Sequence, residues 1–102
     1  MNIVWTKSAK EDLANYRNKS KILNVEKYIE KLISYVDELE NHPRLGKMLI
    51  YKQDIEIRQL IYKMHKILYI IEDEKIKILI VVHAHRDMKF IVKFLKEYLL
   101  EK

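Results

Sequence analysis

The sequence predicts an α+β domain: an N-terminal strand, an α-helical hairpin, an antiparallel meander of three to four strands, and a C-terminal helix. Three observations predict it. Apolar residues recur at helical spacing between Ile22 and Leu39. Between Met48 and His85 they instead fall into short alternating or continuous runs. The links between those runs are too short for helical crossovers, so neighbouring strands must be antiparallel. A chain of 102 residues with a single Gly and a single Pro has little material for linkers, and residues 1–102 are expected to form one domain.

The elements follow in order. Asn2 to Thr6 alternates Ile3 and Trp5 against its neighbours and reads as a short strand. Ser8-Ala9-Lys10-Glu11 has the form of a capping box, with the serine hydroxyl on the Glu11 amide, and it opens a first helix striped by Ala9, Leu13 and Tyr16. That helix is expected to end within Arg17-Asn18-Lys19-Ser20-Lys21. Ile22, Val25, Ile29, Leu32, Val36 and Leu39 stripe a second helix, stopped at Asn41-His42-Pro43 because proline cannot continue it. The heptad-like stripe is too short for a coiled coil and is expected to pack on a sheet.

Strands are then expected at Met48 to Lys52, Ile55 to Tyr62, Lys66 to Glu72 and Lys75 to His85, with Lys63-Met64-His65 as one hairpin connection. Ile78 to Val82 is apolar on both faces, which marks a central strand covered on both sides. Asp87 is placed to cap a last helix from Met88 to about Leu100. Apolar residues wrap more than half of that helix, so one part is expected to pack on the sheet and the rest to offer a surface to a partner.

Composition narrows the chemistry. The absence of cysteine excludes disulfides, thiolate zinc sites and cysteine nucleophiles. The apolar runs are too short to span a bilayer, and the N-terminal residues lack the apolar stretch of a signal peptide, so a cytoplasmic protein without membrane partners is expected. The net charge of +5 favours anionic partners, although the cations are spread through both halves. There is no Gly-rich phosphate loop and no nucleophile elbow, and no cofactor or metal is expected, since His83 and His85 share a strand face with no third ligand evident. His42 reads as a loop residue and His65 as a hairpin residue.

What stands out is cations inside apolar strands. Arg58 lies between Ile57 and Leu60, Lys66 opens Ile67-Leu68-Tyr69-Ile70-Ile71, and Arg86 closes the longest strand. Such charges cost desolvation unless they reach the rim, snorkel or pair with a carboxylate. Arg58 therefore either pairs with Glu56, Glu72 or Asp87, or joins a phosphate-binding cluster.

Four segments in this order resemble the signatures of the RelE/ParE superfamily of bacterial toxins from type II toxin–antitoxin modules. His42-Pro43-Arg44-Leu45-Gly46-Lys47 is similar to its Pro-x-x-Gly segment, and Ile57-Arg58-Gln59-Leu60-Ile61 to its Ile-Arg-Glu-Leu strand. His65-Lys66-Ile67-Leu68-Tyr69 resembles Tyr-Arg-Ile-x-Tyr, and Val81-Val82-His83-Ala84-His85-Arg86-Asp87 resembles Val-x-His-x-x-Arg-Asp. The resemblance implies a plasmid-stabilisation type of toxin that arrests growth and is neutralised by an acidic antitoxin.

The superfamily has two main branches. A RelE-like member would be a metal-independent, ribosome-dependent mRNA endoribonuclease, and this is the activity expected here, because the long C-terminal helix favours that branch. Catalysis would then fall to Arg58 and Arg86 holding the phosphate, Lys66 adding charge, and His83 or His85 moving protons. Lys66 stands where the family has arginine and offers only a point charge. Phe90 and Tyr98 could stack on a base or belong to the core. A ParE-like member would inhibit DNA gyrase and need no catalytic group, and the Ile-Arg-x-Leu and His-x-x-Arg-Asp wording resembles this branch. A degenerate module would keep only antitoxin binding.

Overall fold

A computed structural model describes residues 1–100. Its elements are β1 (Asn2–Trp5), α1 (Lys7–Lys19), α2 (Val25–Asp37) with a 3-10 turn at Glu38–Glu40, β2 (Lys47–Lys52), β3 (Ile55–Tyr62), β4 (His65–Glu72), β5 (Lys75–His83) and α3 (Met88–Leu100). The strands form one sheet in the order β1-β5-β4-β3-β2. β2 to β5 make the expected antiparallel meander, here of four strands, and β1 joins its edge parallel to β5.

The helical hairpin covers one face, where Ala9, Leu13, Ile29, Leu32 and Val36 bury against Leu60, Ile67, Tyr69 and Ile78. α3 covers the other with Ile91 and Leu95 against Ile57, Leu68, Ile70 and Leu79. This two-sided cover explains the continuous apolar run of β5. A register shift opposite Leu68 and Tyr69 sets Leu79 and Ile80 of β5 side by side on the α3 face, as a bulge does by inserting one extra residue.

Two helix starts differ from expectation. α1 is capped by Thr6, not Ser8: the Thr6 hydroxyl accepts from the Ala9 amide at 3.2 Å and donates to the Ile78 carbonyl at 2.7 Å. Thr6 is the first residue after the strand, so its side chain can join β1, β5 and α1, which Ser8, already inside the helix, cannot. α2 begins at Val25 rather than Ile22, because Asn24 takes a left-handed conformation (φ 61°) and leaves Ile22 and Leu23 exposed in the connection.

The hairpins turn without glycine. Gln53-Asp54 and Asp73-Glu74 both hold two consecutive residues at positive φ, the backbone that matches the twist of two-residue hairpins. The strand expected to run to His85 ends at His83, and His85 sits in the turn before α3. His65, expected in the hairpin connection, is the first residue of β4 and is buried. Asp87 caps α3 as expected, its carboxylate accepting from the Lys89 amide at 2.8 Å.

Candidate functional site

The register assigns each candidate side chain to a face. Arg58 lies directly opposite Tyr69, and Leu60 opposite Ile67, so Arg58 projects to the helical-hairpin side. Lys66 alternates with Leu68 and Ile70, so it projects to the α3 side. There its ammonium approaches the Met88 sulfur at 3.8 Å. His65, Tyr62 and His83 form one row across β3, β4 and β5. Arg58 stands four residues further along β3 and two strands away, about 16 Å from His83 by strand geometry. The four expected site residues are therefore divided between two faces of the sheet, and Arg58 stands apart at one end: Lys66, opposite Val82, lies with His83 and Arg86 at the other end, near the β5–α3 junction.

Around Arg58 the polar groups form a closed interlock. Its guanidinium donates to Glu56 from Nε at 3.0 Å and from Nη2 at 2.9 Å, and to the Gly46 carbonyl from Nη1 at 2.7 Å. Arg44 holds the other side of Glu56, with Nη2 on Oε2 at 2.7 Å. Hydrogen bonds from Arg44 first, then from Arg58, keep the Glu56 carboxyl below its ordinary pKa against the opposing effect of burial. Tyr69, fully buried, donates its hydroxyl to the Pro43 carbonyl at 2.7 Å and accepts from the Gly46 amide at 2.9 Å. Burial raises its pKa. Gly46 is required by close approach: an added Cβ would lie 2.8 Å from both the Gln59 carbonyl oxygen and the Tyr69 ring.

Three of the sequence signatures thus meet in one place, and each supplies a structural part. The Pro-x-x-Gly segment gives three backbone acceptors, the carbonyls of Pro43, Arg44 and Gly46, and the space for Tyr69. The Ile-Arg-x-Leu strand gives the arginine that ties β3 to that segment, and the β4 signature gives Tyr69. Of the alternatives open for Arg58, pairing with Glu56 is the one the structure realises.

The other end of the sheet is open. His83 is exposed, and its Nδ1 accepts from the His85 amide at 3.1 Å. The two rings lie 5.3 Å apart, and the His65 ring lies 6.1 Å from His83 on the buried side. His65 packs edge-on to Tyr16 at 4.4 Å and shares a hydrogen bond of 2.8 Å between its Nδ1 and the Tyr28 hydroxyl. Burial first, and His83 second, lower its pKa, so it is neutral at pH 7. Arg86 is exposed, its guanidinium 3.9 Å above the Phe90 ring. Phe90 is therefore a surface residue, whereas Tyr98 packs with the α3-side core. Among the described residues no group of His, Asp or Glu could hold a metal ion.

Sequence reasoning missed the seam between α1 and β5. The short β1 leaves the far half of β5 without a strand on the edge away from β4, and there Asp12 of α1 supplies an acceptor, its carboxylate taking the Val81 amide at 2.9 Å. Burial raises the Asp12 pKa more than this hydrogen bond lowers it. No local pattern marks Asp12, since the amide it satisfies is 69 residues away in sequence.

Comparison with known proteins decides the family. The family model described as "ParE toxin of type II toxin-antitoxin system, parDE" matches residues 3–88. The chain belongs to the ParE toxin family. That makes it the toxin of a type II toxin–antitoxin system, with an antitoxin as its partner. Among solved structures the toxin resembles a YoeB/ParE toxin from Agrobacterium tumefaciens, with a TM-score of 0.54 and 20% identity over 83% of this chain and all of that one. It also resembles the YoeB dimer from Staphylococcus aureus, with a TM-score of 0.55 and 20% identity over 83% of this chain and 98% of that one. At this identity the likeness shows the fold. No curated protein sequence matches the chain. No helix among the described residues is long and apolar enough to cross a membrane.

Proposed function

We propose that this ParE-family toxin arrests growth by binding its target without making or breaking a bond, and that the target is DNA gyrase. The observation that carries the reading is the dispersal of the groups a nuclease would need. Attack of a ribose 2′-hydroxyl on phosphate requires base, acid and cations around one phosphate. Here Arg58 is spent on Glu56 and Gly46, and Lys66 lies on the opposite face against α3. Arg86 and His83 remain exposed at the β5–α3 junction as groups available for contact.

The test is direct. Purified toxin should block gyrase supercoiling in vitro and leave ribosome-bound mRNA intact, and Arg86→Ala should weaken the block. Cleaved mRNA with normal supercoiling would overturn the reading.

One observation favours mRNA cleavage as the second reading. His83, His85 and Arg86 bring two imidazoles and a guanidinium to one exposed corner, which is enough for proton transfer beside a bound phosphate. On that reading His83→Ala and His85→Ala abolish cleavage while Arg58 variants lose activity only through unfolding. Failure to arrest growth on expression without an antitoxin would leave antitoxin binding as the remaining role.

A further inference from the structure

We propose that His65 is a proton-sensing residue that couples the buried face under the helical hairpin to the exposed corner of His83, His85 and Arg86, so that acidification rearranges that corner. As a control on target contact the inference rests on the proposed use of the corner; the coupling itself does not.

His65 stands where four elements meet. It opens β4 and pairs with Tyr62 of β3 on one side and with His83 of β5 on the other. Tyr16 of α1 packs edge-on to its ring, and the Tyr28 hydroxyl of α2 lies 2.8 Å from its Nδ1. The same hydroxyl reaches the Tyr62 carbonyl and accepts from the Met64 amide, both at 3.3 Å. One hydroxyl thus ties α2 to the β3–β4 turn and to the imidazole. His65 itself is only 5% exposed.

A neutral imidazole suits this site and an imidazolium does not. The titratable groups facing His65 are Tyr16 from α1, Tyr28 from α2, Tyr62 from β3 and His83 from β5. His85 lies behind His83, and the Lys63 ammonium sits 5.5 Å from the centre of the Tyr62 ring. None of these is a carboxylate. Asp12, one helical turn before Tyr16, has its carboxylate on the Val81 amide. The Tyr28 hydroxyl can accept from a protonated Nδ1 by turning its own proton to the Tyr62 carbonyl, but a hydroxyl does not neutralise a charge. A proton taken from solvent therefore places an uncompensated charge beside His83. Burial first, and His83 second, already hold the His65 pKa below 6.5.

The charge is relieved outward. Tyr16 and Tyr28 are fixed on two helices, whereas His83 is exposed, its ring 6.1 Å from that of His65. Repulsion moves His83 toward solvent, and the corner goes with it. Its Nδ1 accepts from the His85 amide at 3.1 Å, and its carbonyl accepts from the Arg86 amide at 2.9 Å. A proton on Nδ1 of His83 removes the first of these bonds as well, so both imidazoles act on one turn.

The experiment follows ring and amide signals of the isotope-labelled full chain from pH 8 to pH 5. The His65 ring should titrate with a midpoint below 6.5, and the His85 and Arg86 amides should show an inflection at that midpoint. His83→Gln removes one of the two charges and should raise the His65 midpoint by about 0.5 pH unit, the Coulomb energy of unit charges roughly 6 Å apart in water. His65→Gln should abolish the shared inflection at His85 and Arg86. Because His83 is exposed, the first variant decides the question even where the second does not fold.

A His65 midpoint unmoved by His83→Gln overturns the coupling, as does an inflection at His85 and Arg86 that survives His65→Gln. Block of supercoiling, normalised to uninhibited gyrase, should weaken from pH 7.5 to pH 6 more in the parent chain than in His65→Gln. Equal weakening in both overturns the control of target contact. Absence of any block at either pH overturns the gyrase reading alone, and the ring titration still decides the coupling.

Discussion

Arg58 and Arg86 were both expected to be strand-borne cations, yet the fold places Arg58 within β3 and Arg86 in the connection after β5 ends at His83, and gives them opposite circumstances. The Arg58 side chain is only 13% exposed and is engaged by a carboxylate and by backbone carbonyls. Arg86 lies in solvent against an aromatic ring, with no ion pair to a carboxylate among the described residues. The difference teaches that a buried cation in this fold is a joint and an exposed one is a contact. Glu56 sets it, since a carboxylate placed two residues before Arg58 on the same strand face is always within reach.

The largest expected effect breaks the joint. Glu56→Ala leaves Arg58 mostly buried and unpaired and should cost about 3 kcal/mol or more in urea unfolding. Gly46→Ala forces a methyl group against backbone and should cost about 2 kcal/mol by overpacking. Tyr69→Phe strands the Pro43 carbonyl and the Gly46 amide and should also cost about 2 kcal/mol. Arg86→Ala, by contrast, should change stability by less than about 0.5 kcal/mol and show its effect in growth arrest instead. If Arg86→Ala unfolds the protein and Glu56→Ala does not, the division between joint and contact is wrong.

Acidity sharpens the same comparison. Glu56 has a lowered pKa in the folded state, so its contribution is present above its ordinary value of 4.5 and is lost as pH falls below it. His65 is also lowered, from 6.5, so below that value the unfolded chain takes up a proton that the folded chain refuses. Stability should therefore start to decline as pH drops through 6.5, by at most about 1.4 kcal/mol per pH unit for this single proton. Denaturation at pH 7 and pH 5.5 should show the decline in the parent chain and a flatter profile in His65→Gln. A small effect of opposite sign belongs to the turns: Glu74→Gly removes a left-handed strain at φ 58° and should raise stability by about 0.5 kcal/mol, measured by thermal unfolding.

Much of the fold was legible because its signals are local. The α2 stripe, the proline stop, the short links between strands and the Asp87 cap all act within a few residues. The helix starts were less legible, since both Ser8 and Thr6 can cap and the choice fell to Thr6 through its bond to Ile78 on a distant strand. His65 read as a turn residue because only the packing of Tyr16 and Tyr28 from two helices makes it a buried one.

The sequence by itself determined the order of elements, the two-sided burial of β5, the family signatures and the identity of the unusual cations, because each depends on spacing along one strand or helix. Tertiary structure alone decided which of those cations stand together. Residue parity puts Arg58 and Lys66 on opposite faces only once the strand register is set. Glu56, Gly46 and Tyr69 close around Arg58 only once three strands align. A charge in an apolar strand can be read from sequence; the partner that satisfies it is a property of the folded sheet.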